Sequence, residues 1–403
     1  MRKILLASSA LVGVAMLAAP AFAGDLTVKL SGYDDVMLGF NNDNQTNDLV
    51  LPAHDTRNNI SMENLFDINV SVEGKGSNNL DYGAMISLWN GPNFGNAWTG
   101  GAGAAGNAAT TNDAYVWLSN NWGKLMLGDA HGASDLFVYA PTVGSNQIDG
   151  YYQQFVDLNK VWRALPTFID NNESSTRITY YTPKISGFQA GISYAPDLYS
   201  QGMTNNSVSG TAATLGNSYN NQVEGAIGWS GSFDKFNIKV TGLATTAEGN
   251  QDVALLGLPP STDYLSLGIG GQVNYAGFTV GASYTDPGHY DEGQGQDKDQ
   301  YMATIGAKYD WDKAAFAVNF EDGEGYDVTF PLNGVTPGGL KAGENAIDSN
   351  YIRDYKAVGF GATYTWFPGL VSGIDVVFFN QYGAASAADD NGEVVLLSQR
   401  VNF

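Results

Sequence analysis

The sequence predicts an all-β protein, an antiparallel β-barrel of about 16 strands that spans a membrane. Three observations predict this fold. Apolar and polar residues alternate with a period of two along most of the chain, aromatic residues end many of the apolar faces, and short connections alternate with long ones. Among 403 residues there are 50 Gly, 22 Tyr, 19 Phe and 8 Trp but only 13 Pro. Such a composition is typical of many strands joined by turns.

Residues 1–23 have the pattern of a signal peptide. Arg2 and Lys3 precede the apolar run ILLASSALVGVAMLAA, and the small residues of AFAG follow it. The run is shorter than the roughly 20 residues that a transmembrane helix needs. We therefore expect export and cleavage after Ala23 rather than a helical anchor, with the barrel occupying residues 24–403.

The chain is strongly acidic and has no cysteine. It carries 41 acidic and 19 basic residues, for a formal net charge of −22. Residues 1–23 hold two basic residues and no acid, so their removal would bring the charge to −24. Nucleic acids are bound by basic surfaces, so this balance excludes them as natural partners and favours cations. An exported chain without disulfides is either a soluble exported β protein or an outer-membrane barrel.

The alternation is clear in GFQAGISYAPD. Phe188, Ile192 and Tyr194 share one face of this segment, and Gln189 and Ser193 share the other. One apolar and one polar face are typical of strands in an antiparallel sheet. The predicted strands lie near residues 25–40, 58–73, 79–90, 112–120, 123–129, 175–183, 187–196, 221–231, 233–246, 262–275, 277–286, 298–311, 313–321, 353–367, 370–382 and 392–403.

The strand ends and the connections distinguish a membrane barrel from a soluble β-sandwich. The apolar faces often finish in rings that suit the boundary between lipid and water. These residues are Tyr194, Trp229, Tyr275, Tyr284, Tyr309, Trp311, Tyr364 and Trp366. Short connections such as NNWGK and FPG alternate with long ones such as 91–112, 129–175 and 322–352. A soluble sandwich has no reason to sort its loops in this way.

The last predicted strand explains why the chain closes on an apolar ring. Val395, Leu397, Val401 and Phe403 share one face of the segment 392–403. We expect this strand to pair with the first strand, DLTVKLSGYDDVMLGF, because a barrel has no free edge only when its two ends meet. Phe403 would then be the final aromatic residue of the ring at the membrane boundary.

Three stretches resemble the general diffusion porins of Gram-negative bacteria, in particular those of alphaproteobacteria. WGKLMLGDAHGASDLF resembles the end of the fifth strand and the start of the third loop in those porins. TRITYYTPKISGFQAGISYAPD resembles the strand–turn–strand unit that follows. Phe403 matches the outer-membrane assembly signal, from whose apolar alternation Gln399 departs.

This resemblance implies a homotrimer of 16-stranded barrels in the lipid and lipopolysaccharide of the Gram-negative outer membrane. It implies a third loop that folds inward and narrows a water-filled channel for passive diffusion of ions and small hydrophilic solutes. It also implies a second loop, here GPNFGNAWTGGAGAAGNAATTN, that reaches over a neighbouring subunit.

The segment 129–175 is the longest connection and is expected to form the pore constriction. A connection of this length in a compact barrel needs a function, and folding into the lumen would bury its apolar residues. The alternative is an exposed extracellular loop, which would leave those residues poorly placed. The predicted constriction acids are Asp129, Asp135, Asp149 and Asp157.

Basic residues are expected on the opposite wall of the pore. Alternation turns five of them toward the lumen, namely Lys29, Arg57, Arg177, Lys239 and Arg400. Arg177 is the strongest candidate, because it begins the sixth strand beside the outward-facing Ile178. For Lys29 and Lys239 a solvated position far from the constriction is the alternative. Acids facing bases would create a transverse field that orders polar solutes and water, and the excess of acid predicts a mild preference for cations.

No cofactor is required for diffusion, but calcium is a candidate ligand. The segments 286–299 and 320–327 are rich in the oxygen ligands that Ca²⁺ prefers, although neither matches the twelve-position calcium loop. Related porins bind calcium near the third loop, so the resemblance adds Asp129 and Asp135 as candidates. The alternative for both segments is a solvated acidic loop.

Two motifs typical of enzymes do not lead to an enzyme prediction. GAGAAG, from Gly101 to Gly106, matches a dinucleotide fingerprint but lies in a loop of an all-β chain. His131 lies near Ser134, but the three His are in three different loops and no G-x-S-x-G is present. The leading hypothesis is a passive channel and not an enzyme. The alternatives are a channel selective for sugars or organic acids, a barrel enzyme, and an adhesin or phage receptor.

Overall fold

The structure is a computed structural model. It describes residues 26–43, 59–90, 110–144, 152, 155, 175–198, 201–202, 219–249, 262–290, 300–324, 329–331, 345–347, 352–383 and 390–403. The strands are β1 (Thr27–Asp43), β2 (Ile60–Lys75), β3 (Asp81–Trp89), β4 (Thr110–Asn120), β5 (Gly123–Asp129), β6 (Thr176–Tyr181), β7 (Phe188–Asp197), β8 (Tyr219–Phe233), β9 (Phe236–Gly249), β10 (Tyr264–Tyr275), β11 (Phe278–Asp286), β12 (Tyr301–Trp311), β13 (Ala314–Glu324), β14 (Thr329–Pro331), β15 (Asn345–Ile347), β16 (Ile352–Phe367), β17 (Leu370–Gly383) and β18 (Asp390–Asn402). The predicted signal peptide lies outside the described residues.

Sixteen of these strands close into one antiparallel barrel, which confirms the predicted fold class. Each barrel strand pairs with its sequence neighbours, except that β13 pairs with β16. The connection between those two strands, predicted only as a long loop, contains the separate two-stranded sheet of β14 and β15. Among the described residues no helix is long and apolar enough to cross a membrane.

The barrel closes where β1 pairs with β18, as predicted. The N–H of Gly32 donates to the carbonyl of Phe403 at 2.9 Å, and the N–H of Phe403 donates to the carbonyl of Gly32 at 3.0 Å. This exchange leaves neither strand with a free edge along the paired residues, which is the condition for a stable sheet in lipid.

The outer face of the barrel is apolar. Ile192, Ile227 and Ile269 are 54%, 57% and 61% exposed and lie at outward positions of β7, β8 and β10. Aromatic pairs stand beside the short turns, and the rings of Phe278 and Tyr309 stack with centroids 4.1 Å apart. An exposed apolar band bordered by aromatic rings is the surface that a bilayer covers.

The short turns reverse the chain with few residues. Between β10 and β11 the turn is Ala276 and Gly277, with φ of 51° and 87°. Two positive φ values are the geometry of a type I′ turn, whose twist matches that of the adjoining strands. These turns hold neighbouring strands in register and place every short connection at one end of the barrel.

The inner face differs between the two sides of the barrel. Around β6–β11 it is polar, with buried side chains such as Thr179, Ser193, Thr241, Ser266 and Ser283. On β1, β2, β12 and β16–β18 it carries a cluster of apolar side chains beside buried acids such as Asp35 and Asp375. The apolar residues there are Met37, Leu65, Met302, Tyr355, Ala357, Val377, Phe379, Val394 and Leu396. This inner apolar cluster has a packing partner, which comes from the long connection after β5.

Candidate pore constriction

Loop 3 is the connection 130–175 between β5 and β6. Its described residues fold into the lumen, which confirms the inward-folded loop. They contact the inner wall at three successive places, here named the root (residues 130–136), the middle segment (residues 137–142) and the tip (Tyr152 and Phe155). The described residues of the loop therefore contact the wall from β6 to β13 and again at β1.

The root is held by a buried ion pair. Arg177 of β6 and Glu224 of β8 both point inward, and Arg177 Nη1 lies 2.9 Å from Glu224 Oε1 with each side chain 1% exposed. The other carboxylate oxygen of Glu224 accepts the N–H of Ser134 at 3.1 Å and the hydroxyl of Ser193 at 2.9 Å. Because the pair is excluded from water, each charge depends on its partner.

The backbone of the root fits closely against this ion pair. A Cβ added at Gly132 would lie 1.9 Å from Glu224 Oε2 and 2.2 Å from Arg177 Nη1. The carbonyl of Gly132 accepts the hydroxyl of Tyr181 at 2.6 Å, and the N–H of Ala133 donates to Ser193 Oγ at 3.1 Å. Only a residue without a side chain allows the backbone this close to both charges.

The middle segment lies flat on the wall of β9–β13. The N–H of Val138 donates to Thr241 Oγ1 at 2.9 Å, and the carbonyl of Tyr139 accepts from Gln272 Nε2 at 2.7 Å. Asn319 Nδ2 donates to the carbonyl of Pro141. Directional hydrogen bonds from three different strands thus fix the height of the loop in the lumen.

The tip is held by apolar contacts. Tyr152 and Phe155 are 1% and 4% exposed within the inner apolar cluster. The ring of Tyr152 lies 6.0 Å from that of Phe379, and a Cβ added at Gly39 would meet the Phe155 ring at 2.0 Å. One polar contact supports the packing, because Asn41 Nδ2 donates to the carbonyl of Phe155 at 2.6 Å.

A histidine joins two carboxylates next to the root. His131 Nδ1 lies 3.2 Å from Asp135 Oδ1, and His131 Nε2 lies 3.5 Å from Asp113 Oδ2 on the inner face of β4. Hydrogen bonding to Asp113 and then to Asp135 raises the pKa of His131 to about 10, although burial opposes the shift. With His131 protonated, the three groups together carry one net negative charge.

The predicted constriction acids fall in different places. The Asp135 side chain is 59% exposed on the root, where it can act on passing solutes. Asp129 ends β5 on the face that carries the exposed Leu127. Its carboxylate accepts the N–H of Gly202 at 2.9 Å and the hydroxyl of Thr176, so these contacts hold it away from the lumen side of β5. Asp149 and Asp157 lie outside the described residues.

The predicted basic residues also separate. Arg177 is enclosed by its ion pair. Arg400 Nε lies 3.1 Å from Asp35 Oδ2, and its guanidinium lies 4.3 Å from the centroid of the Tyr33 ring. Lys29 forms an exposed ion pair with Glu73 at 2.6 Å. Lys239 is exposed to the lumen below the middle segment. Arg57 lies outside the described residues.

The described residues contain no group of three or more His, Cys, Asp or Glu suited to a metal ion. Asp129 and Asp135 are not brought together, since Thr176 and Gly202 hold the first and His131 holds the second. Residues 291–299 of the acidic segment 286–299 and residues 325–327 of the segment 320–327 lie outside the described residues. Calcium binding stays a prediction.

The enzyme-like motifs gain no support from the described residues. Both ring nitrogens of His131 face carboxylates, so neither is directed at Ser134. The N–H of Ser134 is bound to Glu224. The segment from Gly101 to Gly106 lies outside the described residues.

Sequence reasoning missed the partners that complete these contacts. Glu224 and Asp113 are buried on the inner faces of β8 and β4. Nothing in the pattern singles out Glu224 among the other inward acids. The available signal was Gly132, a glycine within the stretch WGKLMLGDAHGASDLF that resembles a porin loop.

Comparisons with known proteins agree with this architecture. A family model described as Gram-negative porin matches residues 7–389. The curated relatives include an uncharacterized protein of Rickettsia prowazekii, 29% identical over 165 residues, or 36% of this chain and 34% of that protein. The chain thus spans only about a quarter to a third of the length of the curated relatives that it matches.

Three solved structures have similar folds. The anion-selective porin from Comamonas acidovorans has a TM-score of 0.59 at 15% identity, covering 94% of this chain and all (100%) of that one. A mutant of the Rhodobacter blastica porin has a TM-score of 0.51 at 18% identity, with the same coverage of 94% and 100%. The in-vitro folded OmpT outer-membrane protein of Vibrio cholerae, in its trimer form, has a TM-score of 0.56 at 10% identity, covering 94% and 99%.

The family match extends over nearly the whole chain, and the closed barrel with its inward loop 3 is the fold that such a match requires. The chain therefore belongs to the Gram-negative porin family of outer-membrane channel proteins.

Proposed function

We propose that the protein is a passive diffusion channel for ions and small hydrophilic solutes, acting without catalysis. The observation that carries this proposal is the course of loop 3. It is held to the inner wall at its root, middle segment and tip, so it narrows the lumen while a barrel of this strand number keeps a water-filled interior. Passage then depends on size, charge and polarity.

The working unit is a homotrimer in the outer membrane, surrounded by lipid and lipopolysaccharide, after removal of residues 1–23. Two points support this part of the proposal. The sequence resembles the trimeric general diffusion porins, and the Vibrio cholerae protein of similar fold is described in a trimer form. The second loop, within 91–109, would then contact the neighbouring subunit.

A mild preference for cations follows from the distribution of acids. The chain has a net charge of −22, and Asp35 of β1 and Asp113 of β4 are inward-facing acids on the wall opposite β9–β12. Asp135 is the most exposed acid of the root, and its neighbour His131 compensates only one of the two carboxylates in that group. Negative charge at a narrow passage attracts cations and repels anions.

Conductance in a planar bilayer tests the proposal, with purified folded protein and KCl at unequal concentrations on the two sides. We expect large steps in groups of three and a reversal potential on the cation side. Asp135→Asn should move the reversal potential toward zero. Asp312→Asn is the matched control, because Asp312 lies in a short turn at φ 52°, a conformation that Asn also adopts.

Each part of the proposal can fail separately. Folded barrels that give no steps would contradict the channel. Conductance steps that occur singly and never in groups of three would contradict the trimer. A reversal potential on the anion side would contradict the cation preference and leave the channel standing.

A channel selective for organic acids is the second candidate function. The observation that favours it is a pocket of basic residues beneath loop 3.

A further inference from the structure

A pocket of about 430 Å³ opens into the lumen between loop 3 and the wall. The middle segment, residues 137–142, forms one side. The other side is formed by Lys239 of β9, Gln272 of β10, Thr279 of β11 and Lys308 of β12. These four side chains lie near the short turns, so the pocket is on the short-turn side of loop 3.

Three inward glycines set the position of the loop above this pocket. A Cβ added at Gly270 would lie 1.9 Å from the Val138 carbonyl oxygen, and one added at Gly281 would lie 3.1 Å from Pro141 Cδ. A Cβ at Gly306 would lie 3.2 Å from the Pro141 carbonyl oxygen. The loop backbone therefore rests directly on the strands, and the longer side chains beside it enclose the pocket.

The pocket is basic although the protein is acidic. Lys239 is exposed to the lumen, and among the described residues no carboxylate forms an ion pair with it. Lys308 lies 3.1 Å from Asp310, whose side chain is 50% exposed, so solvent weakens that pair. Two lysines with one screened counter-charge leave a local positive potential where a solute passes.

The spacing of the two lysines favours a ligand with two separate negative groups. Lys239 and Lys308 lie on strands three positions apart and are offset by two residues along the strands, which puts their backbones about 16 Å from each other. Each ammonium is carried on a flexible four-carbon stem, so the two can approach opposite ends of one small molecule. A single compact anion could contact one lysine ammonium closely but would remain distant from the other.

The remaining lining suits an organic ligand. Gln272 uses its Nε2 for the Tyr139 carbonyl and keeps an amide oxygen, and Thr279 accepts from Asn274 and keeps its hydroxyl hydrogen as a donor. The Phe137 ring, packed edge-on against Tyr139 at 4.7 Å, supplies an apolar surface. A short carbon chain can lie there between its two charged ends.

We propose that this pocket binds small organic dianions of the dicarboxylate class and retains them on their way through the pore. The inference rests on the proposed channel function and names a substrate class for it. It is compatible with a preference for small cations, because that preference is set by the acids elsewhere in the lumen while the pocket acts on anions that enter it.

Block of KCl current by succinate tests the pocket, at pH 7.5, where this probe is a dianion. In the wild-type channel we expect a concentration-dependent decrease in conductance that is stronger at 0.1 M than at about 1 M KCl, because salt screens the lysines. Lys239→Gln and Lys308→Gln should each weaken the affinity about threefold and the double variant about tenfold. Lys235→Gln is the control, since it removes the same charge from the neighbouring turn.

The same proteins are titrated with succinate, sulfate and acetate by calorimetry in detergent, which measures binding without a current. Succinate should bind more tightly than the other two. Normal KCl steps with neither block nor heat would overturn the pocket and leave the channel intact. Sulfate binding as tight as succinate binding would also overturn the pocket. So would succinate binding to the double variant that is as tight as its binding to the wild type. Binding that the double variant loses would support the pocket even if no steps were seen, an outcome that contradicts only the channel.

Discussion

The root and the tip of loop 3 are fixed to the same barrel by opposite kinds of contact. At the root, Arg177 and Glu224 form a buried ion pair that binds the loop backbone through directed hydrogen bonds. At the tip, Tyr152 and Phe155 are buried among apolar side chains of the inner wall. The root requires particular partners at particular distances, whereas the tip requires volume and an apolar surface.

This difference teaches how an inner loop can be stable in a water-filled lumen. Directed contacts fix the position of the loop but are costly when one partner is lost. Apolar packing is more tolerant of shape changes and gains free energy by removing surface from water. With both kinds at opposite ends of the loop, the ends should respond to substitution independently, since distant sites without shared partners are additive.

The largest expected effect is at the root. Arg177→Ala removes the guanidinium that faces the buried Glu224 carboxylate, which should destabilise the root by about 3–5 kcal/mol. Amide hydrogen exchange of the segment 130–136 should become faster, while exchange of the peptide that contains Tyr152 and Phe155 stays unchanged. The double variant Arg177→Met/Glu224→Met removes both charges and should recover much of the protection. If the single variant exchanged at the wild-type rate, the ion pair would not hold the root.

A somewhat smaller effect is expected at the tip. Phe155→Ala removes a buried ring from the inner apolar cluster, with a cost of about 3 kcal/mol, at the lower end for such substitutions because the loop can move to fill part of the space. Exchange of the peptide around Phe155 should increase and that of 130–136 should not. Phe155→Leu keeps most of the apolar volume and should behave nearly as wild type. Faster exchange at both ends would show that root and tip are one cooperative unit.

The smallest effect is the pH dependence of the root. The pKa of His131 is raised to about 10 by Asp113 and Asp135, so protonated His131 stabilises the folded loop. This contribution is complete below a pH of about 6.5 and is lost as the pH rises through 10. Open-channel current noise should therefore increase between pH 8 and 10.

His131→Gln should give noise that is independent of pH over that range, and His289→Gln, in another loop, should keep the wild-type dependence. Noise that rose equally in all three proteins would assign the titration to a different group.

The architecture could be predicted from the sequence to a large extent. Alternation in segments such as β7 and β11 requires two different environments on the two faces of a strand. A two-residue turn such as Ala276–Gly277 requires the two strands that it joins to pair with each other. The closure of β18 onto β1 followed from the need to remove a sheet edge. The small sheet of β14 and β15 was not predicted, because two three-residue strands carry too little periodicity to be seen.

The candidate site could be predicted only in part. Alternation placed Arg177 in the lumen, but its role as a buried partner of Glu224 depends on where Gly132 lies between two strands that are distant in sequence. Asp129 was assigned to the constriction because it begins the long connection 129–175, whereas its carboxylate accepts a hydrogen bond from Gly202 of another loop. The alternation also gave no sign that the inner face of β16–β18 carries an apolar cluster.

The sequence by itself determined that this chain forms strands, which face of each strand meets lipid, and that the ends of the sheet must join. Those are local consequences of side-chain period and of the cost of unpaired backbone in a membrane. Only the tertiary structure decided which inner side chains meet loop 3 and which remain free to meet a solute. Lys239 and Lys308 line one pocket across two intervening strands, and no spacing along the chain encodes a pocket that barrel curvature and loop position create.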